Sequence, residues 1–127
     1  MIEMSKKVNI IVTQPPYGKE EVFGAIPLAA TQSAADNEAS ITLVSGAVHA
    51  VVKGQQTGYG DEATWGKHVP PLENEIKNNL ELFDFYVLDR DLDIRGITDT
   101  EIIEGIKKTT ISELTDRILE SDVTLVL

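Results

Sequence analysis

Apolar residues along the chain follow two rhythms. Short runs rich in β-branched residues recur at Val8–Thr13, Ile41–Val44, Phe85–Leu88 and Val123–Leu127. Continuous apolar runs of this length suit strands buried on both faces. Between them the apolar positions switch to helical spacing. Lys19–Ala35 carries Val22, Phe23, Ile26, Ala29, Ala30 and Ser33 on one side, and its small residues favour close approach to a sheet. Leu72–Leu82 carries Leu72, Ile76 and Leu80 in the same way. Asp99–Ile106 reads as a further helix, with Thr98 as N-cap and Glu101 three positions on. Thr109–Ile111 reads as a short fourth strand, and Ser112 offers an N-cap for a helix over Glu113–Glu120.

Three stretches interrupt these rhythms. Pro27 falls inside the first helical segment and predicts a kink or a restart there. Ser45-Gly46 ends the second strand, and Ala47–Val52 reads as a short apolar helix or turn. Residues 55–71 hold three glycines, preceded by Gly54 and closed by Pro70 and Pro71, so a long loop is expected. Loops of that length in a compact domain often serve a function or a partner.

Strands alternate with helices throughout. That predicts an α/β fold: one three-layer α/β/α domain over residues 1–127 around a mainly parallel, five-stranded sheet. A chain of 127 residues fits one domain, and at this length burial alone suffices for folding.

Composition narrows the chemistry. The chain has no cysteine, so it can form no disulfide, cysteine metal site or cysteine nucleophile. With two histidines and no cysteine, no typical structural zinc site is expected, and no metal or other cofactor is assigned. The net charge of −10 argues against nucleic acid as a partner, because such binding neutralises phosphates with Lys and Arg. No apolar run has the length of a membrane span, and the N-terminal stretch M-I-E-M-S-K-K-V lacks a signal-peptide plan. A soluble, cytoplasmic protein is expected.

Ligands of open α/β sheets bind beyond the carboxyl ends of the strands. Three loops fall there: Gln14–Gly18, Ser45–His49 and Asp89–Arg95. They contribute Gln14, Tyr17, Gly18, Gly46, His49, Asp89, Arg90 and Arg95 as pocket or interface residues. Each has a plainer reading. T-Q-P-P-Y-G (13–18) is a rigid strand exit, in which prolines fix φ and Gly18 frees the backbone. Tyr17-Gly18-Lys19 lacks the earlier glycine and the trailing Ser or Thr of a Walker loop. His49 within A-V-H-A-V-V is more often a packed residue than a catalyst. D-R-D-L-D (89–93) lacks the spacing of a calcium loop, and a solvated turn with local Asp–Arg pairing is expected. Trp65 and Tyr59 suit an interface or the protein's own core.

Taken in order, these segments resemble the DsrE/DsrF family of sulfur-relay proteins, and especially its DsrF/TusC branch. Q-P-P-Y-G (14–18), S-G-A-V (45–48), R-G-I (95–97), E-I-I-E-G-I (101–106) and E-L-T-D-R-I-L-E-S-D-V-T-L-V-L (113–127) carry the resemblance over nearly the whole chain. It implies a small flavodoxin-like, DsrEFH-like fold. It also implies association into trimers or hexamers, either as a homo-oligomer or with related cysteine-bearing subunits. In the best-known members a cysteine shortly before the Arg-Gly-Ile step carries a persulfide. That position falls near Leu88 here, and leucine forms no thiolate. The resemblance therefore implies a non-catalytic partner subunit of a sulfurtransferase-like assembly.

Two other functions compete with this reading. One is a small-molecule-binding protein or enzyme using the pocket around His49. The other is flavin-based electron transfer, which the turn after the first strand does not favour, since it lacks a run of Ser and Thr to hold a phosphate.

Overall fold

The structure is a computed structural model that describes residues 5–17, 19–55 and 71–127. Among the described residues five strands are present: β1 (Lys7–Val12), β2 (Glu38–Leu43), β3 (Asp84–Leu88), β4 (Lys107–Thr109) and β5 (Val123–Val126). They form one parallel sheet in the order β4-β3-β2-β1-β5. The helices are α1 (Glu21–Ala34), α2 (Leu72–Asn79), α3 (Asp89–Ile94) and α4 (Ile111–Glu120). This is the expected α/β architecture.

The strand order dictates where the helices go. From β1 to β4 the chain steps across the sheet in one direction. From β4 it crosses back over three strands to pair β5 with the far side of β1. Crossovers between parallel strands are right-handed, so reversing the direction of travel reverses the face on which the connection lies. The packing agrees. Val22, Ala25, Ile26 and Ala29 of α1 and Leu72 and Ile76 of α2 gather with Ile10, Val12, Ile41, Leu43, Phe85 and Val87 into one core. The register aligns Ile10 with Ile41 and Ile41 with Phe85, which makes this face continuously apolar.

The opposite face is largely polar, with Ile11 and Leu88 as its buried apolar residues. The same register groups Asn9, Ser40, Thr42, Tyr86, Lys107 and Thr109 there. Helix α4 lies over it, with the Arg117 guanidinium 3.7 Å from the centre of the Tyr86 ring. Arg117 Nη2 also donates to Thr109 Oγ1 at 2.9 Å. Stacking of arginine on an aromatic face contributes about 0.5–2 kcal/mol, depending on how dry the pair is. No residue of α4 is fully buried.

Several elements differ from the sequence expectation, each for a local reason. Helix α1 continues through Pro27 as a single helix; the proline lies on its exposed side, and the Thr31 hydroxyl donates to its carbonyl at 2.8 Å. Residues 89–94 form α3 instead of a solvated turn, because Leu92 turns inward and is only 2 % exposed. Asp99–Ile106 is not a helix. Only Asp99–Glu101 makes a 3₁₀ turn, in which the Glu101 carboxylate accepts from the Thr98 N–H and hydroxyl. Beyond it the backbone pairs with the 51–53 segment instead: Lys53 N–H donates to Glu101 O and Ile103 N–H to Val51 O, around a Val52–Ile102 bridge. Tertiary pairing outcompetes the helix there. Most of the loop expected at residues 55–71, with Tyr59, Trp65 and His68, lies outside the described residues.

The cap of α4 is Thr110, not Ser112. Thr110 Oγ1 accepts from Glu113 N–H at 3.1 Å, and the Glu113 carboxylate accepts from Thr110 N–H at 2.9 Å. Reciprocal bonds of this kind satisfy two otherwise orphaned donors. Thr110→Ala is therefore expected to cost about 1 kcal/mol in urea unfolding, while Ser112→Ala stays within about 0.5 kcal/mol of the parent. Equal losses in the two variants would contradict this cap.

Candidate functional site

The carboxyl ends of β1, β2 and β3 carry three segments that close on one another. After β1 the chain turns at Pro15 and Pro16. After β2 it enters a 3₁₀ segment, Ser45–Val51, whose Gly46, Ala47, Val48, Ala50 and Val51 are buried. Pro15 lies directly against Gly46: a Cβ built at Gly46 would stand 3.0 Å from the proline Cδ. The stiff exit from β1 thus packs as a wedge against a residue without a side chain, and a Cβ there would need the proline ring to yield by a few tenths of an ångström.

Ser45 opens the second segment with φ at +53°. Few non-glycine residues adopt this left-handed conformation. Its N–H donates to the Asp91 carboxylate of α3 at 2.6 Å. A charged acceptor holds the strained residue and ties the β2 exit to the β3 exit. Asp89, by contrast, turns back on its own helix, where Oδ1 accepts from Arg90 N–H at 2.6 Å.

Tyr17 and His49 meet above this base, with ring centres 6.1 Å apart and planes tilted by 51°. The Tyr17 hydroxyl donates to Gln55 Oε1 at 2.6 Å. Tyr17 remains 44 % exposed, whereas His49 and Gln55 are half-buried. Partial burial pushes the Tyr17 hydroxyl pKa up. Burial, and then the positive charge of Arg95, hold the His49 pKa below the ordinary histidine value. Both effects favour the neutral imidazole, whose free nitrogen can accept a hydrogen bond.

The sequence-designated residues are therefore only partly drawn together. Tyr17, Gly46, His49 and Arg95 belong to one neighbourhood. Gln14 and Arg90 are exposed at the same end of the sheet, and Gly18 lies outside the described residues. Asp89 accepts only from the N–H of its neighbour Arg90, and the expected Asp–Arg pairing is replaced by the Asp91–Ser45 contact. Gln55, Ser45 and Asp91 were not designated; the Ser-Gly step at 45–46 and the acid two places after Asp89 were the available signals. Among the described residues, no three His, Asp or Glu side chains converge on a metal position.

A separate concavity of about 490 Å³ opens at the other, amino-terminal end of the sheet. Lys7, Glu38, Ser40, Asp84, Tyr86 and Arg117 are among the residues lining it. It lies on the polar face beside α4.

The site is thus a proline wedge on a 3₁₀ segment that opens with Ser45-Gly46, beside a short third helix. The profile of the DsrE/DsrF-like family matches residues 6–127. The chain belongs to that family. Among curated relatives, the uncharacterized protein MJ0989 of Methanocaldococcus jannaschii is 30% identical over 117 residues, covering 91% of this chain and 95% of its own. The uncharacterized protein MK0008 of Methanopyrus kandleri is 23% identical over 124 residues, covering 91% of this chain and 88% of its own. The crystal structure of the ychN protein from E. coli superimposes with a TM-score of 0.78 at 24% identity, over 98% of this chain and all of that one. MTH1491 from Methanobacterium thermoautotrophicum, a protein of unknown function, gives a TM-score of 0.66 at 11% identity over 97% of this chain. At these identities the structural likenesses establish the fold. Among the described residues no helix is long and apolar enough to cross a membrane.

Two measurements test this geometry. Gly46→Ala drives a methyl group into the Pro15 ring and is expected to lower stability by about 1–3 kcal/mol in chemical denaturation; an unchanged midpoint would show that the wedge has slack. His49 is expected to titrate below the ordinary value of about 6.5 when followed by NMR, and Arg95→Gln is expected to move its midpoint upward. Because the folded state resists protonation here, the unfolded chain binds the proton first as pH falls through about 6.5. The contribution of His49 to stability is therefore complete above that pH and is lost as pH falls towards the folded midpoint.

Proposed function

We propose that this family member is a subunit of an intracellular sulfur-relay assembly, contributing surface and not chemistry of its own. Its partners are copies of itself in a trimer or hexamer, or related cysteine-bearing subunits. The observation that carries this reading is Leu88. It ends β3, is only 7 % exposed, and stands near the place where the resemblance puts the sulfur-bearing cysteine. An aliphatic side chain there packs; it cannot hold a persulfide, which needs a thiolate. The surrounding site is nevertheless maintained, with a stiff wedge, a tied-down left-handed residue and an exposed tyrosine. A partly exposed aromatic beside exposed arginines suits a protein contact, where Tyr and Arg are enriched.

A second reading has its own support. Tyr17, His49 and Gln55 converge from two loops, and a few converging polar groups are what small-molecule sites offer. On that reading a small molecule copurifies with the protein, and His49→Ala reduces its retention.

The deciding measurement is native mass spectrometry of the chain mixed with a cysteine-bearing member of the family from the same host. The expected result is a stable hetero-oligomer with a Kd of about 1 μM or tighter, with persulfide sulfur found on the partner alone. Two chains that stay apart at micromolar concentration would remove the partner-subunit reading in favour of the small-molecule one.

A further inference from the structure

The two edges of the sheet are built in opposite ways. β4 is three residues long and carries Lys107 and Lys108, whose amines pair with Asp84 and Asp99. A short, charged strand is a standard means of blunting an open edge. β5, at the other edge, has no such protection. Residues 123–127 read V-T-L-V-L, with no charge, no proline and no glycine. Val123 is 45 % exposed, Leu125 36 %, Val126 65 % and Leu127 37 %. In the last turn of α4, Ile118 and Leu119 add further exposed apolar surface.

The backbone of this edge is also open. Leu127 directs both polar groups at β1: its N–H donates to Ile11 O, and its carbonyl accepts from Thr13 N–H. Backbone direction alternates along a strand. Thr124 and Val126 therefore turn their N–H and C=O groups outward, away from β1. In a chain of net charge −10, an apolar strand without charged side chains, whose outward groups have no partner among the described residues, is a surface meant to be covered.

We infer that β5 is a self-association edge, on which a second copy of this chain adds its own β5 in antiparallel register about a two-fold axis at Leu125. The register follows from the open groups. Thr124 exchanges two hydrogen bonds with Val126 of the second copy, and Val126 with its Thr124, which makes four in all. Leu125 then faces Leu125 as a pair without hydrogen bonds, flanked by Val123–Leu127 contacts on the same face. The strand is thus self-complementary, as an isologous interface requires. Val123, Leu125, Val126 and Leu127 supply its exposed apolar surface, and a standard interface takes about 800 Å² from each partner. The strand backbone and Thr124 contribute towards the remainder. This contact deepens the proposed function by naming one surface of the assembly, and it rests on that reading only for the claim that the chain associates with its own kind.

The absence of cysteine makes a direct test possible. In a pair without hydrogen bonds the Cα atoms of facing residues lie about 4.5 Å apart, within the range a disulfide spans. Under a mild oxidant such as diamide, full-length Leu125→Cys is expected to form covalent dimers at micromolar concentration. It should do so about tenfold or more faster than Val123→Cys, whose facing residue is leucine and not itself. Val126→Lys is expected to lower the mass of the unmodified protein in light scattering while circular dichroism stays unchanged. An oligomer that gives no faster cross-link at 125 than at 123 would overturn the β5 contact and leave the assembly reading standing. A folded, strictly monomeric parent would also overturn it, and the hetero-oligomer measurement above then decides the assembly reading separately.

Discussion

The single constraint behind this structure is the central position of β1. It is paired on both sides, to β2 and to β5, and Val8 through Val12 are all buried. A parallel sheet has no hairpins, so every step away from β1 needs a crossover, and each crossover is right-handed. Steps towards β4 place α1 and α2 on one face. The return to β5 places α4 on the other. The division of the molecule into an apolar, thickly covered face and a largely polar, thinly covered one follows from this reversal.

The same reversal locates the site. The exits of β1, β2 and β3 lie side by side at one end, so segments remote in sequence can be tied together by a few contacts. Pro15 against Gly46 and Asp91 against Ser45 are two such ties. Both hold backbone in place, and Tyr17, His49 and Gln55 rest on the result. The site is tied down at its base and exposed at its rim.

Much of this was legible in the sequence, and the misses have physical causes. Four strands were legible because runs such as V-N-I-I-V cannot be solvated; β4, expected at Thr109–Ile111, lies instead at Lys107–Thr109, where two lysines hide it. Their neighbourhood at one sheet end followed from topology alone. The Thr110 cap was obscured because T-I-S-E offers two hydroxyls near one helix start, and only Thr110 stands three residues before the glutamate. Residues 99–106 show the limit of local reading: Thr98 and Glu101 cap as expected, yet the next residues pair with the 51–53 backbone, a partner no local pattern reveals. Asp91 and Gln55 were illegible for the same reason, since their partners lie on other loops.

The thin seating of α4 has a further consequence for motion. The helix has no fully buried residue, and on the face beneath it Asn9 Nδ2 and Thr42 Oγ1 are buried without a partner among the described residues. Lifting α4 would hydrate two dissatisfied groups, against the exposure of Ile11 and Leu88, the buried apolar residues of the same face. The free energy of that local opening is set far below that of global unfolding, because the core under α1 and α2 need not change. In this fold α4 is thus the natural breathing unit: a part that can detach and return on its own while the five-strand platform stays intact.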